Sequence, residues 1–479
     1  MTTTNVADRN DRAFLGHPKG LGFLAFTEAW ERFSYYGMQT LLVLYMVHQL
    51  LLPGHIEHVA GFPQFQRFLE TLNHRELAGQ ALASAVFGLY TAMVYFTPFF
   101  GGLLADRMLG RTRTIILGGG LMELGHFLMA FDVSFLLALA CLMLGSGCFK
   151  GNIAAQVGHL YTEEDPRRAD AFQIYYLGIN AGVIIAPFVA GTLGEKVAWH
   201  YGFGVAGVGM LISLVIYLAG RRYLPKEAPR AVAAAAPKVP MTVRDWRVLA
   251  LLIAMLPVLA ASLVPNQQIF NAYLIWAERS ADLHLFGIPI LTSWLISVDS
   301  IVSVSCLAGM VIFWRAWKTR FPEPDELGKI IIGCAFCAVG MSSLAIGSAV
   351  TPAGGKVAFG WLLLFHLFND IGFANVLPVG LALYARSSPR AIAGSVVGLY
   401  YLHFFAANFF VGWIGGFLEK MPAVQFWLIH AGLAAGAGLA FIVVKALFGR
   451  LLVGEDDVPD EEDVPDEEDV AVADAIKAP

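Results

Sequence analysis

Two carboxylates and one guanidinium stand close together in an otherwise apolar stretch near the start of the chain: Glu28, Glu31 and Arg32. An α-helix turns about 100° per residue, so these three residues share one stripe with Tyr35 and Gln39. If this helix spans a membrane, each charged side chain at bilayer depth costs at least about 2.5 kcal/mol. We therefore expect the stripe to face the interior of a helix bundle or an aqueous cavity.

A further cation, Lys150, lies in another apolar stretch. Two acids and one base do not balance within the first helix, and Lys150 is the best candidate for the missing partner. The four groups would form a coupled set that shares its protons. Protonation of Glu28 or Glu31 would release a cation, and that cation could bind an anionic group of a substrate. The alternative is a closed salt bridge that only holds helices together.

The composition is typical of a polytopic membrane protein. Of 479 residues, 57% are hydrophobic and 14% are charged, and the mean hydropathy is +0.63, whereas soluble domains carry about 25% charged residues. This excludes a typical soluble enzyme, a disordered protein and a disulfide scaffold. The five cysteines fall in apolar stretches and are predicted to be free core residues. We recognise no cleaved signal peptide.

The elements that position the charged stripe are predicted to be membrane-spanning helices, each needing about 20 apolar residues. Twelve stretches qualify and predict an all-α integral membrane protein, at about 20–50, 80–107, 112–131, 134–160, 170–195, 199–222, 247–278, 288–317, 327–350, 356–385, 391–419 and 424–450. Most Lys and Arg between these stretches fall on the side of the two termini. The positive-inside rule therefore predicts cytoplasmic termini in the cytoplasmic (inner or plasma) membrane.

The predicted helices divide into an N-terminal six-helix half, 1–222, and a C-terminal six-helix half, 247–450. The segment 223–246 is basic and rich in proline, and we interpret it as a cytoplasmic linker. The segment 451–479 is strongly acidic, with twelve acids and one Lys after position 453. Blocks of like charge repel one another, so a disordered cytoplasmic tail is expected. A regulatory contact with the basic loops is the alternative.

The loop after the second predicted helix reads Gly101-Gly102-Leu103-Leu104-Ala105-Asp106-Arg107-Met108-Leu109-Gly110-Arg111-Thr112-Arg113. It resembles the loop between the second and third helices of the major facilitator superfamily. The resemblance implies the superfamily fold, with 12 transmembrane helices in two six-helix halves and the substrate between them. It also implies that Asp106, Arg107 and Arg111 form a cytoplasmic latch and do not bind substrate.

A narrower resemblance rests on three stretches of the first half. They are Glu28-x-x-Glu31-Arg32-Phe33-x-Tyr35-Tyr36-Gly37, Lys150-x-Asn152-Ile153 and Tyr175-Tyr176-x-x-Ile179-Asn180-x-Gly182. These stretches are similar to the first-, fourth- and fifth-helix motifs of the proton-coupled oligopeptide transporter (POT, or PTR) family. The resemblance implies that Glu28 and Glu31 are proton-linked acids, and that Arg32 and Lys150 balance them and attract the peptide carboxylate.

The same resemblance implies that Tyr35, Tyr36, Tyr95 and Asn180 line the peptide site. For each Tyr the alternative is an anchor at the membrane interface.

The second half departs from the family pattern. The seventh-helix acid is missing beside Gln267, the tenth-helix Glu aligns with Phe373, and the eleventh-helix Trp aligns with Tyr400. Asp299 and Asp370 are the only acids predicted near the middle of the spans of this half. One or both are therefore expected to bind the peptide ammonium and to take part in proton coupling.

Other polar residues of the second half are expected in or near the site. Gln267 could bind peptide carbonyls, and Tyr400 takes the position of a family site residue. Three histidines lie in apolar stretches and are interpreted mainly as packing residues: His126, His366 and His403. Of these, His403 is the candidate for a proton-linked group.

Together these observations predict a proton-coupled symporter that imports di- and tripeptides by alternating access. Protons are the coupling ion; no other cofactor, no metal and no nucleic-acid partner is expected, and the protein is predicted to be a monomer in the lipid bilayer. The alternatives are a proton-coupled transporter of another small solute or drug, a membrane enzyme, and a transporter-like receptor. No zinc-protease or serine-protease motif supports the enzyme interpretation.

Overall fold

The computed structural model describes residues 11–162, 165–225, 240–285, 287–389 and 392–452. Most of the predicted linker (226–239) and of the acidic tail (453–479) lies outside the described residues. The first helix of the second half begins at Val243, inside the segment predicted to be linker.

The described chain is almost entirely helical. The first half contains α1 (Lys19–Tyr45), α2 (Phe62–Asn73), α3 (Gly79–Leu104), α4 (Arg111–Leu128), α5 (Phe135–His159), α6 (Arg167–Ala186), α7 (Thr192–Lys196) and α8 (Trp199–Gly220). The second half contains α9 (Val243–Gln267), α10 (Ala272–Ser280), β1 (His284–Leu285), β2 (Ile288–Pro289), α11 (Trp294–Lys318), α12 (Glu326–Val350), α13 (Phe359–Arg386), α14 (Ala393–Tyr400), α15 (Leu402–Gly415) and α16 (Ala423–Phe448).

These helices confirm the predicted all-α membrane architecture. Ten helical segments of the described chain are long and apolar enough to cross a membrane. The polar stripe of α1 and the charged residues of α4 keep these two helices out of that set, yet both pack along the others, α1 on α6 and α8, and α4 on α5 and α8. Together they make twelve spans, with most ends within a few residues of the predicted ones.

Three local features depart from the prediction. Helix α2 and the antiparallel hairpin β1–β2 lie in connections and were not expected. The hairpin occupies part of the stretch predicted as 288–317, so the helix there begins only at Trp294. The predicted helix at 391–419 is divided in two at Tyr401.

The two halves meet along two pairs of helices. Helix α3 packs on α15, and α6 packs on α11. The first crossing is very close: a Cβ added to Gly412 of α15 would lie 2.8 Å from the Cα atom of Gly88 in α3. Glycine at both positions therefore allows the two backbones to touch.

The bundle has two faces. The terminal face holds the start of α1 and the end of α16, and the opposite face holds the end of α1 and the start of α16. Near the opposite face, hydrogen bonds of 2.7–3.0 Å join the two halves, and His48 with Glu278 becomes an ion pair when His48 is protonated. The bonded pairs are His48 with Glu278, Arg75 with Trp413, Gln80 with Gly415, Ser84 with Asn271, Glu195 with Ser293, and Thr192 with Trp294. These bonds hold the halves together at that face.

Candidate functional site

The charged stripe of α1 points into the bundle. Arg32 Nε lies 2.9 Å from Glu28 Oε1 and 2.7 Å from Glu31 Oε2. Glu31 is fully buried, and Glu28 and Arg32 are almost so. The guanidinium thus contacts both acids within one helix, contrary to the expectation that these three charges do not balance there. Two carboxylates still share one cation, so a second cation nearby remains favourable.

Lys150 is that nearby cation, but it does not form the expected contact. Among the described residues, no carboxylate oxygen lies within 4.0 Å of Lys150 Nζ, so the predicted direct pairing with a glutamate is wrong for this conformation. The ammonium instead lies 3.8 Å from the centroid of the Tyr35 ring and 5.6 Å from that of Tyr95. Such cation–π contacts stabilise a partly desolvated ammonium without neutralising it. Lys150 can therefore accept an additional anionic partner.

The tyrosines beside this cluster contact the second half. The ring centroids of Tyr36 and Phe270 are 5.9 Å apart, and those of Tyr95 and Phe404 are 4.5 Å apart in a stacked arrangement. Tyr35 packs edge-on against Tyr36, and its buried hydroxyl has no hydrogen-bond partner among the described residues. The charge cluster therefore lies next to the interface between the halves.

Asn180 follows on α6. Its side-chain amide donates a 2.8 Å hydrogen bond to the Tyr176 carbonyl one turn earlier in the same helix. This bond fixes the orientation of the amide, and the side chain remains partly exposed.

The two acids of the second half are brought together. Asp299 on α11 and Asp370 on α13 are buried, and a histidine of α13, His366, lies between them in the chain and beside them in space. His366 Nδ1 is 2.8 Å from Asp299 Oδ1. From the sequence, His366 is expected to be a packing residue. Its position four residues before Asp370, on the same helix face, was the signal that could have identified it.

Two predicted site residues, Gln267 and Tyr400, form hydrogen bonds within the second half. The Gln267 amide donates to Asn266 Oδ1 at 3.0 Å. The buried Tyr400 hydroxyl donates to the Leu377 carbonyl at 2.7 Å, so it serves a contact between α13 and α14. His403 points back to the Tyr400 carbonyl, and the histidine paired with an acid is His366 rather than His403.

The predicted latch residues lie on the terminal face between α3 and α4. Arg111 Nη2 is 3.7 Å from Asp106 Oδ1, and its other nitrogen, Nη1, lies 2.8 Å from the ring of His159. Arg107 is exposed. A Cβ on Gly101 would collide with the Gly147 carbonyl oxygen, so the glycines here allow α3 and α5 to approach closely.

Comparisons with known proteins agree with the fold. A sequence model described as PTR2, POT family, matches residues 112–242. Curated relatives include the peptide transporter YePEPT of Yersinia enterocolitica, 26% identical over 95% of this chain and 97% of its own length. A di-/tripeptide transporter of Lactococcus lactis subsp. cremoris is 27% identical over 91% of this chain and 97% of its own length.

Solved structures agree as well. The crystal structure of a peptide transporter POT in complex with sulfate superposes with a TM-score of 0.81, at 26% identity, over 95% of this chain and 100% of that one. Sequence relatives and structural neighbours along nearly the whole chain indicate a transporter of the major facilitator type and not an enzyme, and the chain is similar to proteins of the POT family.

Proposed function

We propose that this protein imports di- and tripeptides across the cytoplasmic membrane by proton-driven symport. The names of its relatives support peptides as the substrate class. The observation that carries the proposal is the pair of cations inside the first half, of which Arg32 is buried and Lys150 is half-buried. Arg32 is held by two glutamates, while Lys150 lies over an aromatic ring without a carboxylate within 4.0 Å among the described residues.

The carboxylate end of the peptide would bind at Lys150 and Arg32. In this conformation Glu28 and Glu31 occupy Arg32. Protonation of one glutamate leaves one negative charge beside Arg32 instead of two. Arg32 is then free to attract another anion. A substrate carboxylate would then bind between Arg32 and Lys150, beside the Tyr35 hydroxyl. Proton and substrate would therefore bind together, as symport requires.

The ammonium end would bind at Asp299. Its side chain keeps 12% exposure, whereas Asp370 is almost fully buried, so Asp299 is the more accessible acid. It lies within electrostatic range of Tyr36 of the first half. Side chains that would contact the rest of the peptide are Tyr36, Tyr95, Asn180 and Gln267. We assign Tyr400 a supporting role, because its hydroxyl is bonded to the Leu377 carbonyl.

We place the terminal face in the cytoplasm, because the basic residues concentrate there. The hydrogen-bonded opposite face would then close the site to the outside. Asp106, Arg107 and Arg111 would act at the cytoplasmic face as the latch that limits the movement of the halves. Each proton that enters the cell releases about 2.3 kcal/mol of free energy per 100 mV of membrane potential. This free energy is enough for more than tenfold accumulation of substrate.

Lys150→Ala tests the coupling. We expect this variant to lose proton-driven uptake into proteoliposomes while retaining part of its counterflow exchange, because exchange needs the movement of the halves but no net proton transfer. Lys196→Ala, which removes an exposed lysine at the opposite face, is the matched control and should transport normally. Intact proton-driven uptake in Lys150→Ala would show that this assignment is wrong.

A related solute other than a peptide is the second candidate, since Phe373 replaces the tenth-helix Glu of the family pattern. Competition decides between the two. Uptake of a fluorescent dipeptide should be inhibited by many different di- and tripeptides, and a complete lack of inhibition would exclude peptide transport. Accumulation in proteoliposomes also separates a transporter from a receptor, which binds without accumulating its ligand.

A further inference from the structure

The terminal face carries a surface cavity whose lining residues are not those of the site between the halves. Its volume is about 500 Å³, and it lies where the start of α4 meets the end of α8. Three exposed arginines line it: Arg113 from the first turn of α4, and Arg221 and Arg222 from the 3₁₀ turn that follows α8. A cavity lined in this way is suited to bind an anionic group.

The three arginines have no acidic partner in the described part of the chain. No ion pair joins Arg113, Arg221 or Arg222 to an Asp or Glu of those residues. Arg222 lies over the Tyr223 ring, 4.8 Å from its centroid, and this contact leaves its charge in place. Like charges repel one another, so an anion placed between the three guanidinium groups would be stabilising.

The first turn of α4 adds to the positive field of the cavity. The helix begins at Arg111 and has no acid in its first turn, and no side chain caps its backbone amides. The N-terminal end of a helix carries a partial positive charge and favours anions, but here it holds two cations. Asp106, 3.7 Å away, offsets Arg111. No acid of the described residues offsets Arg113 in the same way, so a bound anion would relieve this repulsion.

Much of the remaining lining is apolar. Leu109, Ile116 and Leu224 contribute to the wall of the cavity. One helical turn further into the membrane, Leu117 of α4 is 43% exposed and Leu218 of α8 is 41% exposed. In a membrane-spanning helix we expect such side chains to contact acyl chains. A ligand with a phosphate at one end and apolar chains at the other would therefore cover both parts of the lining.

We propose that this cavity binds the phosphodiester headgroup of an anionic phospholipid from the leaflet at the terminal face. The guanidinium groups of Arg113, Arg221 and Arg222 bind the phosphate through paired N–H donors. The acyl chains lie along Ile116 and Leu117. The lining residues belong to the first half or directly follow α8, so the lipid moves with that half and stabilises it, whichever solute the protein carries.

Thermal unfolding of the full-length protein in detergent tests the proposal. Phosphatidylglycerol should raise the thermal midpoint by several degrees, because a ligand that binds only the folded state stabilises it. Phosphatidylcholine, whose headgroup is zwitterionic, should raise it much less. The triple variant Arg113→Gln, Arg221→Gln, Arg222→Gln should lose the extra rise given by phosphatidylglycerol. An unchanged rise in this variant overturns the proposal.

The triple variant Arg315→Gln, Lys318→Gln, Arg320→Gln is the matched control. It removes three exposed cations at and just beyond the end of α11, on the same face, so the net charge changes by the same amount. This control should keep the full response to phosphatidylglycerol. An equal loss in both triple variants would show that the lipid responds to the overall surface charge, and the cavity would then not be a binding site.

A second variant of the cavity keeps its charge but not its paired donors. In Arg113→Lys, Arg221→Lys, Arg222→Lys the rise with phosphatidylglycerol should be reduced but not lost, because an ammonium cannot bind phosphate with a planar pair of N–H groups. This variant also decides the question if the glutamine variant proves unstable. A reduced rise supports the proposal, and a full rise overturns it.

A soluble phosphate is one competing occupant. Glycerophosphoglycerol, which is the same headgroup without acyl chains, and inorganic phosphate should not raise the midpoint at concentrations at which phosphatidylglycerol saturates its effect. A rise equal to that given by phosphatidylglycerol would show that the apolar wall is not needed, and the assignment to a lipid would be wrong.

The acidic segment 455–469 of the chain itself is the other competing occupant. A full-length variant in which every acid of 455–469 is exchanged for the corresponding amide separates the two. We expect this variant to respond to phosphatidylglycerol as the wild type does. If the lipid raises the midpoint only in this variant, the acidic segment fills the cavity in the native chain, and the proposal is overturned.

Discussion

Among the described residues of the first helix, Arg32 is the only cation that contacts the two buried glutamates. Its charge is therefore expected to affect the stability of the protein as well as its function. Its Nε atom serves both Glu28 and Glu31. Removing one partner of a buried ion pair costs about 3–5 kcal/mol, because an unpaired charge is left behind. Removing all the charges together costs far less. The two effects can therefore be separated by mutation.

We predict that Arg32→Met lowers the thermal midpoint of the purified protein strongly and abolishes uptake. The triple variant Glu28→Gln, Glu31→Gln, Arg32→Met should recover most of the lost stability, because no ionised group remains unpaired, but it should stay inactive in proton-driven uptake. Thermal unfolding in detergent and uptake into proteoliposomes measure the two properties. If the triple variant is as unstable as Arg32→Met, packing rather than charge explains the loss.

At the scale of residues, the sequence predicted which charged groups face into the bundle better than it predicted the partners that these groups contact. The spacing of Glu28, Glu31 and Arg32 was sufficient to place them on one inward face, because helix geometry is regular. The contact of Lys150 with the Tyr35 ring depends on how α5 approaches α1, which no local pattern specifies. The pairing of His366 with Asp299 likewise joins two helices that are far apart in sequence.

At the scale of the elements, hydropathy predicted the twelve spans because each must bury about 20 apolar residues in lipid. It did not predict α2 or the β1–β2 hairpin, since these short elements lie in connections where hydropathy carries little information. Nor did it predict the interruption at Tyr401, which lies within a continuous apolar run. Helix crossings also escaped prediction, although the glycines that permit them are visible in the sequence.

The crossing of α3 and α15 offers a test at this scale. We predict that Gly88→Ala slows both counterflow exchange and proton-driven uptake, because the added Cβ would meet the backbone of Gly412 and separate the halves near the opposite face. Overpacking of this kind costs about 1–3 kcal/mol, so the state described here becomes less populated. The rate of counterflow is the measurement.

Gly204→Ala in α8 is the matched control for this variant, since a Cβ there meets nothing within 4 Å. It should transport normally and gain slightly in stability, because alanine favours a helix. Equal rates for Gly88→Ala, Gly204→Ala and the wild type would show that the close crossing is not needed for transport.

At the scale of the whole molecule, the two faces differ in how the halves are joined. The hydrogen bonds near the opposite face include one from Arg75, whose Nη2 donates 2.8 Å to the Trp413 carbonyl and whose guanidinium stacks 3.9 Å from the Phe417 ring centroid. On the other side of the site, Tyr176 lies in electrostatic range of Glu28 in the first half and of Tyr401 in the second half. Its side chain is nevertheless 54% exposed. From this exposure we infer that the site is open toward the terminal face, and the reporter below tests the inference.

This asymmetry predicts the effect of weakening the opposite face. Arg75→Ala removes contacts that exist only while that face is closed, so the population should shift toward a state open there and closed at the terminal face. In that state a Tyr176→Cys reporter becomes protected, and its labelling by a maleimide in detergent slows. The native cysteines are all buried, which keeps the background low.

Arg67→Ala is the control for that experiment, because the Arg67 side chain bonds only the Pro63 carbonyl of its own helix among the described residues. It should leave the labelling rate of Tyr176→Cys unchanged. If Arg75→Ala labels as fast as the control, Arg75 does not contribute to closing the opposite face. If it labels faster, opening at one face does not close the other, and the two halves do not move as alternating access requires.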